Sequence, residues 1–387
     1  MSLIKRIPID KVELGMYVSD QTPGIDKGEL RPKGFIRRWE TVDKLTNMGL
    51  TELYIDTHKG LDSPFTLPLP PKNATLQATV SLEQEREQAQ KVYAEAKNLV
   101  NELMNNVKMG KAIDVGPVEG LADDINNSVL NNHNALLCLS AIREKDQYLL
   151  EHSINVGILM GVFSRFLGYE QELVHQLVTG ALLHDIGKVR VPNHILHKPG
   201  KLTEDEWQEM KRHVVYGQET LLKSEGISEV ALSICGMHHE RLDGTGYPMG
   251  LKEFEINSYG KLAAIVDVYD AITASRVYHD GKPPAEAMQL LMDLSNDHLD
   301  RDLVLQFIRC MSVYPVGSFV ELSNGSAGIV ISTHPLEPVQ PTVKVIYNVR
   351  HNKHEKPSII DLAKETDITI LDALHPEQYD IALNEFI

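Results

Sequence analysis

Seven residues carry the chemistry open to this sequence: His152, His184, Asp185, His213, His238, His239 and Asp267. Imidazole nitrogens and carboxylate oxygens are the donors that borderline and moderately hard transition metals accept. Position singles these seven out. His184 continues the helical stripe of Leu173, Leu177 and Ala181, where an apolar residue is expected. His152 shares a face with Leu149, Val156, Leu159 and Phe163, and His213 with Trp207, Met210, Gly217 and Leu221. His238 lines up with Val230 and Ile234, and His239 follows directly. Asp267 comes straight after the apolar run Leu262–Val266, on one face with Ala263, Asp270 and Ala274. A single polar residue on an apolar face is more often a hydrogen-bonded core residue. Seven of them over several helices call for a cation, because each buried imidazole or carboxylate otherwise carries an uncompensated desolvation cost. Five imidazoles and two carboxylates exceed the needs of one tetrahedral ion. With Asp185 as a bridge they suit two ions roughly 3.5–4 Å apart.

The elements that must position these residues follow from the punctuation of the chain. Residues 1–72 read as a small α+β module: Ile7–Val18 alternates and carries turn formers, Trp39–Leu50 reads as a short helix, and Leu53–Ile55 as a strand. The proline-rich run Pro64–Lys72 marks a boundary. Residues 73–117 form a helical linker, since Ser81–Lys108 has neither Gly nor Pro. Its seam of Ala89, Val92, Ala96, Leu99 and Leu103 can pair with a second copy or lie against the body. Residues 118–311 are helical in pattern throughout. Gly187 breaks the helix after His184–Asp185, and Thr203-Glu-Asp-Glu206 forms a capping box that starts the next. Residues 312–387 alternate between turn signals and read as short antiparallel strands. The fold class is therefore mainly α, with small strand-bearing parts at either end.

Composition narrows the function. A formal charge of -16 over 387 residues argues against nucleic acid or an anionic membrane as partner. No apolar run approaches the ~20 residues that span a bilayer, and the first residues lack the apolar core of a secretory signal. Three scattered cysteines, Cys138, Cys235 and Cys310, point to reduced thiols in a cytoplasmic protein.

His184-Asp185-x-Gly187-Lys188, His213, His238-His239, Asp243-Gly-x-Gly246-Tyr247-Pro248 and Asp267-Val-x-Asp270-Ala271 together resemble the HD-GYP family. Its members are bacterial phosphodiesterases of the HD superfamily that hydrolyse cyclic dinucleotides. The likeness spans roughly residues 140–311, and the N-terminal segment more loosely resembles a domain of unknown function found ahead of HD-GYP domains. It implies an HD-type helical bundle and makes the seven residues metal ligands with Asp185 bridging. Lys188 falls near the scissile phosphate, and Arg276 and Tyr278 where an Arg-Pro-Tyr segment meets substrate. Asp243, Gly246, Tyr247 and Asp270 join them as candidate substrate contacts. Tyr148 stands where some members place a third-metal glutamate, so the expected centre is binuclear. Arg276-Val277-Tyr278-His279-Asp280 is less basic than the family's segment, which leaves cyclic di-GMP and 3′,3′-cyclic GMP-AMP both open as substrate. The implied cofactors are two divalent ions, iron or manganese, with zinc, nickel or cobalt compatible. The expected chemistry is attack by a hydroxide shared between the ions, in line with the departing 3′ oxygen, with Lys188 stabilising the phosphoryl charge. Partners compatible with the architecture are a second copy, or signalling proteins such as diguanylate cyclases engaged through the N-terminal module or the GYP loop. Two other readings fit the same residues: an inactive cyclic-dinucleotide sensor, and an HD-type nucleotidase or alarmone hydrolase.

Overall fold

The computed structural model describes residues 4–19, 21–22, 34–47, 50–68, 76–142, 147–274, 281–334, 337, 339–365, 367–379 and 381. The chain opens with β1 (Ile4–Pro8), β2 (Tyr17–Val18), β3 (Gly34–Phe35), α1 (Trp39–Asn47), β4 (Glu52–Asp56) and β5 (Leu67–Pro68). The strands form one sheet in the order β3-β2-β4-β1-β5, with β1 antiparallel to β4. Alternation along β1 sends Ile7 into a small core with Met16, Leu45, Leu53 and Ile55.

The body is helical. It comprises α2 (Leu82–Lys108), α3 (Val115–Ser140), α4 (Tyr148–Phe166), α5 (Gln171–Leu183), α6 (Asn193–Leu196), α7 (Glu204–Lys211) and α8 (His213–Leu222). α9 (Glu229–Met237), α10 (Ser258–Thr273), α11 (Pro284–Leu294) and α12 (Arg301–Met311) complete it. The α2 seam lies against the body: Ala89, Val92, Ala96 and Leu103 are buried in the principal core, packed on α3 and α4. Leu99 is only partly covered, and Val100 and Val107 continue the stripe in its place. Ser81 and Gln84 close a capping box at the start of α2. α3 is interrupted at Asn132, whose backbone is extended. The Asn132 side chain compensates for the break. Its Oδ1 accepts from Asn134 N–H at 3.2 Å and its Nδ2 donates to Val80 O at 3.0 Å.

α4, α5, α9 and α10 form the centre, with Phe163 and Phe307 edge-to-face beneath them at 5.1 Å. The N-terminal module is bonded to this centre at the first turn of α10. Ser258 N–H and Oγ both donate to Pro64 O, at 2.8 and 2.7 Å. Arg6 reaches Asp300, the N-cap of α12, at 2.9 Å, and Lys261 of α10 lies 3.5 Å from the same carboxylate. The C-terminal strands β6 (Phe319–Leu322), β7 (Ser326–Ser332), β8 (Thr342–Asn348), β9 (Lys353–Asp361) and β10 (Ile370–Leu374) pair antiparallel in the order β10-β6-β7-β8-β9. The architecture is thus a mainly α bundle with a small α+β N-terminal part and a β-rich C-terminal part. Among the described residues no helix is long and apolar enough to cross a membrane.

Gly187 does not act as the helix breaker. α5 ends at Leu183, and Gly187 lies inside a 3-10 turn over Ile186–Arg190. His213 likewise does not sit inside a helix that starts at Thr203. α7 stops at Lys211 and His213 opens α8.

Among the described residues, one buried histidine lies outside the centre. His133, just past the α3 break, shares a cavity lining with Phe166, Arg309 and Cys310, and burial pushes its pKa down to about 4 from an ordinary 6.5. The unfolded chain therefore binds a proton that the folded chain refuses between those pH values. Stability contributed above pH 6.5 is lost as the pH falls towards 4, by about 3 kcal/mol. Urea unfolding of metal-stripped protein is expected to show this loss, and His133→Gln to remove most of it; an unchanged pH slope in the variant would assign the acid sensitivity elsewhere.

Candidate metal centre

The seven residues converge on Asp185, which is wholly buried between the end of α5 and the 3-10 turn. Its two oxygens face different groups. Oδ2 lies 3.4 Å from Nε2 of both His152 (α4) and His184. Oδ1 lies 3.3 Å from His213 Nε2 and 3.7 Å from His238 Nε2. Asp267, from the middle of α10, approaches from the other side: its Oδ1 is 3.0 Å from His152 Nε2 and 3.8 Å from His184 Nε2, and its Oδ2 is 3.5 Å from His239 Nδ1. Two sets of donors result, one of Asp185, His213, His238 and His239, the other of His152, His184 and Asp185. Within each set the donor atoms lie within 4.8 Å of one another.

The rings are aimed by their second nitrogens. His184 Nδ1 donates to Ala181 O at 2.7 Å, His213 Nδ1 to Met210 O at 2.7 Å, and His238 Nδ1 to Cys235 O at 2.9 Å. His152 Nδ1 donates instead to Asp270 Oδ2 at 2.7 Å. A proton fixed on Nδ1 leaves the Nε2 lone pair facing inward, the tautomer a metal ligand needs. The inward atoms have no other use. His184 Nε2, Asp185 Oδ1, His213 Nε2 and His238 Nε2 are buried without a hydrogen-bond partner. Buried polar atoms are seldom left so, and four directed into one space fit divalent cations, which accept such lone pairs.

Charge agrees with geometry. Burial works against ionisation of Asp185, but Lys188 and His184 outweigh it and hold the carboxyl well below the usual range. The Lys188 ammonium bonds Asp185 Oδ2 directly. Asp267 is held low in the same way, by His152 and His239 against burial. Burial lowers His213 and, with His238 beside it, pushes His239 well below its ordinary value, so both offer neutral nitrogen. His152 moves the other way: burial opposes its charge, but Tyr148 and the carboxylates of Asp185, Asp267 and Asp270 raise it. Tyr148 stacks on the His152 ring at 5.6 Å.

Backbone packing sets the spacing of the elements. A Cβ added at Gly187 would stand 2.0 Å from His213 O and 2.4 Å from Gly217 N, so only glycine lets the 3-10 turn touch α8. The loop after His239 is hung from Glu240, a buried carboxylate that accepts from Met249 N at 2.8 Å and Leu251 N at 2.9 Å. This brings Tyr247 against His239, with ring centroids 4.6 Å apart.

The expected substrate contacts divide. Lys188 and Tyr247 border the centre. Gly246 approaches its own chain rather than an outer ligand, since a Cβ there would meet Arg241 N at 2.4 Å. Asp243 shapes the loop: its Oδ1 accepts from Thr245 N–H and Oγ1, and Oδ2 lies 3.5 Å from His298. Asp270 is wholly buried behind His152 and orients that ring, so it does not face a substrate. Arg276 and Tyr278 lie outside the described residues. Glu240 was not singled out in the sequence. The available signal was a carboxylate placed just before a glycine-rich turn whose N–H groups need acceptors.

Comparison with known proteins agrees with this geometry. A family profile described as an HD domain matches residues 137–303, a domain of unknown function matches 4–118, and a KOW domain associated with HD domains matches 319–382. A cyclic di-GMP phosphodiesterase of Pseudomonas aeruginosa is 35% identical over 94% of this chain and 90% of its own length. A 3′3′-cGAMP-specific phosphodiesterase of Vibrio cholerae is 36% identical over 46% of this chain and 42% of its own length. Among solved structures, an HDG"Y"P protein of Bdellovibrio bacteriovorus shares the fold with TM-score 0.50 at 20% identity, covering 79% of this chain and 98% of that one. Similarity to the Pseudomonas enzyme from end to end, with the HD motif at the centre of the histidine cluster, makes this chain a member of the HD-GYP family of phosphodiesterases in the HD superfamily.

Proposed function

We propose that the centre holds two divalent transition-metal ions and hydrolyses a cyclic dinucleotide. The observation that carries this is the divided coordination around Asp185: one oxygen towards His213 and His238, the other towards His152 and His184. His213, His238 and His239 would hold one ion, His152, His184 and Asp267 the other, with Asp185 shared. Iron or manganese suits this nitrogen-rich set with two carboxylates, and zinc, nickel and cobalt remain compatible. When bound, the ions supply an activated water as nucleophile and positive charge for the phosphoryl oxygens. Tyr148 is no metal-binding carboxylate, which supports two ions rather than three.

The chain's own residues do the rest. Asp185 and Asp267 balance the charge of the pair without cancelling it. Lys188, already charged and seated at Asp185, is placed to meet an anionic oxygen of the scissile phosphate or the departing 3′ oxygen. Tyr247 closes the side of the centre next to His239. The relative that aligns along nearly the whole chain is named for cyclic di-GMP, which puts that dinucleotide first and 3′,3′-cyclic GMP-AMP second in a substrate panel. Free thiols at Cys138, Cys235 and Cys310 support a reducing, cytoplasmic setting. We divide the chain at residues 72, 117 and 311, into N-terminal module, helical linker, catalytic domain and C-terminal extension.

Chromatography of products from a cyclic dinucleotide panel, with metals counted on anaerobically purified protein, tests the whole reading; absence of both turnover and metal would end it. Asp185→Ala is expected to abolish turnover, and near-normal hydrolysis by the metal-replete variant would remove the bridge from the mechanism. Lys188→Ala should lower kcat by about 10²-fold or more while both ions stay bound; loss of an ion, seen by elemental analysis, would make Lys188 a structural residue. Asp270→Asn is expected to weaken metal affinity by about 10–100-fold, read by competition with a chelator, and an unchanged affinity would show that His152 needs no orienting partner.

A further inference from the structure

Trp207 has no structural duty that its burial explains. α7 buries none of its residues, and Trp207 is 41% exposed, whereas a tryptophan's large apolar body is normally well covered. Its ring partner among the described residues is Tyr247, edge-on with centroids 5.9 Å apart. Tyr247 lies in turn against His239, the metal-centre histidine that reaches furthest towards solvent, its side chain 23% exposed. Lys211, one turn further along α7, holds its ammonium 5.9 Å from the Trp207 ring and 6.0 Å from the Tyr247 ring. A row of rings therefore runs outward from the metal centre and ends in a half-exposed indole with a cation beside it.

The row is fixed in place. Thr203 and Glu206 close the capping box that starts α7, Lys198 pairs with Glu206, and the helix leads through Arg212 straight to His213. Trp207 and a histidine of the centre thus belong to one short, anchored corner.

We propose that Trp207 is a stacking wall for one nucleobase of the cyclic dinucleotide, with Lys211 at its edge to meet the sugar-phosphate side. This rests on the reading of the centre as a cyclic dinucleotide phosphodiesterase site, and adds to it the residue that grips the substrate by its base. A phosphodiester at the metals carries a nucleoside on each side, so at least one base must lie on the surrounding surface. Every base has an apolar face, and an exposed aromatic ring beside a cation is the surface that such faces cover. The half-exposed indole is apolar area that folding leaves wet and that a stacked base would remove from water.

Steady-state kinetics on the full-length, metal-loaded enzyme tests this. Trp207→Ala is expected to raise KM for cyclic di-GMP about tenfold with kcat little changed, and Trp207→Phe to restore most of the loss. The inhibition constant of inorganic phosphate, which has no base, should stay the same in Trp207→Ala. Only two tryptophans are present, so in a Trp39→Phe background substrate binding should quench the remaining indole with a Kd that follows KM. An active wild type with unchanged KM in Trp207→Ala overturns the subsite alone. A phosphate constant that rises in parallel also overturns it, because the metal centre itself would then have been disturbed. A wild type that turns over no cyclic dinucleotide overturns the underlying reading and the subsite together.

Discussion

The buried carboxylate of Asp185 is the constraint around which the helical body is arranged. An ion without solvent is costly unless opposite charge and donors surround it, and here they come from α4, α5, α8, α9 and, through Lys188, the 3-10 turn at once. The way the histidines arrive is economical in geometry. His184 and His238 are the C-caps of α5 and α9, and His213 is the residue at which α8 begins. Each donates Nδ1–H to a carbonyl three residues back: Ala181, Cys235 and Met210. Carbonyls at a helix end lack intrahelical partners. One hydrogen bond therefore adds to the capping of the helix end and turns Nε2 towards Asp185. Helix termination and ligand orientation are the same event at three of the corners.

His152 breaks this pattern for a physical reason. It lies inside α4, where the carbonyls already accept from the next turn, and its Nδ1 bonds an acceptor outside the helix. Asp270 supplies one from α10, three residues beyond Asp267 and one turn along the same face. α10 therefore contributes twice, with one carboxylate into the centre and another behind the ring opposite. This makes the placement of α10 relative to α4 critical, and the N-terminal module bears on it through the Ser258–Pro64 hydrogen bonds and the Arg6–Asp300–Lys261 ion cluster.

Residues that lie on periodic stripes were legible in the sequence, and those whose role depends on a partner from another element were not. His152, His184, His213, His238 and Asp267 stand out because each violates an apolar stripe, and all are buried in the centre. The same periodicity made α2 recognisable, although not whether its seam faced a second copy or α3 and α4; period alone carries no information about what covers a face. Asp270 also lay on the right face, yet its service to His152 depends on the α4–α10 packing. Gly187 was legible as a break because glycine usually marks one. Its actual contribution, close contact with the His213 carbonyl and Gly217, involves residues some 26 and 30 positions away and cannot be read from local pattern. The strand-bearing ends were readable by alternation, while the order β10-β6-β7-β8-β9 depends on long-range pairing.

The charge balance raises an apparent conflict: a protein of formal charge -16 is assigned an anionic substrate. Distance resolves it. Screening at physiological ionic strength acts over about 8 Å, so acidic residues spread across the outer surface contribute little inside a cleft. Within contact range of the proposed ions the permanent charges are Asp185 and Asp267, with Lys188 on the opposite side of the balance. Two dications against two carboxylates leave a net positive space before Lys188 is counted. The low-dielectric wall of buried imidazoles strengthens that field rather than diluting it. An acidic exterior then serves specificity. It disfavours polyanions such as nucleic acid, whose many phosphates feel the whole surface, while the proposed small cyclic diester would meet chiefly the positive centre.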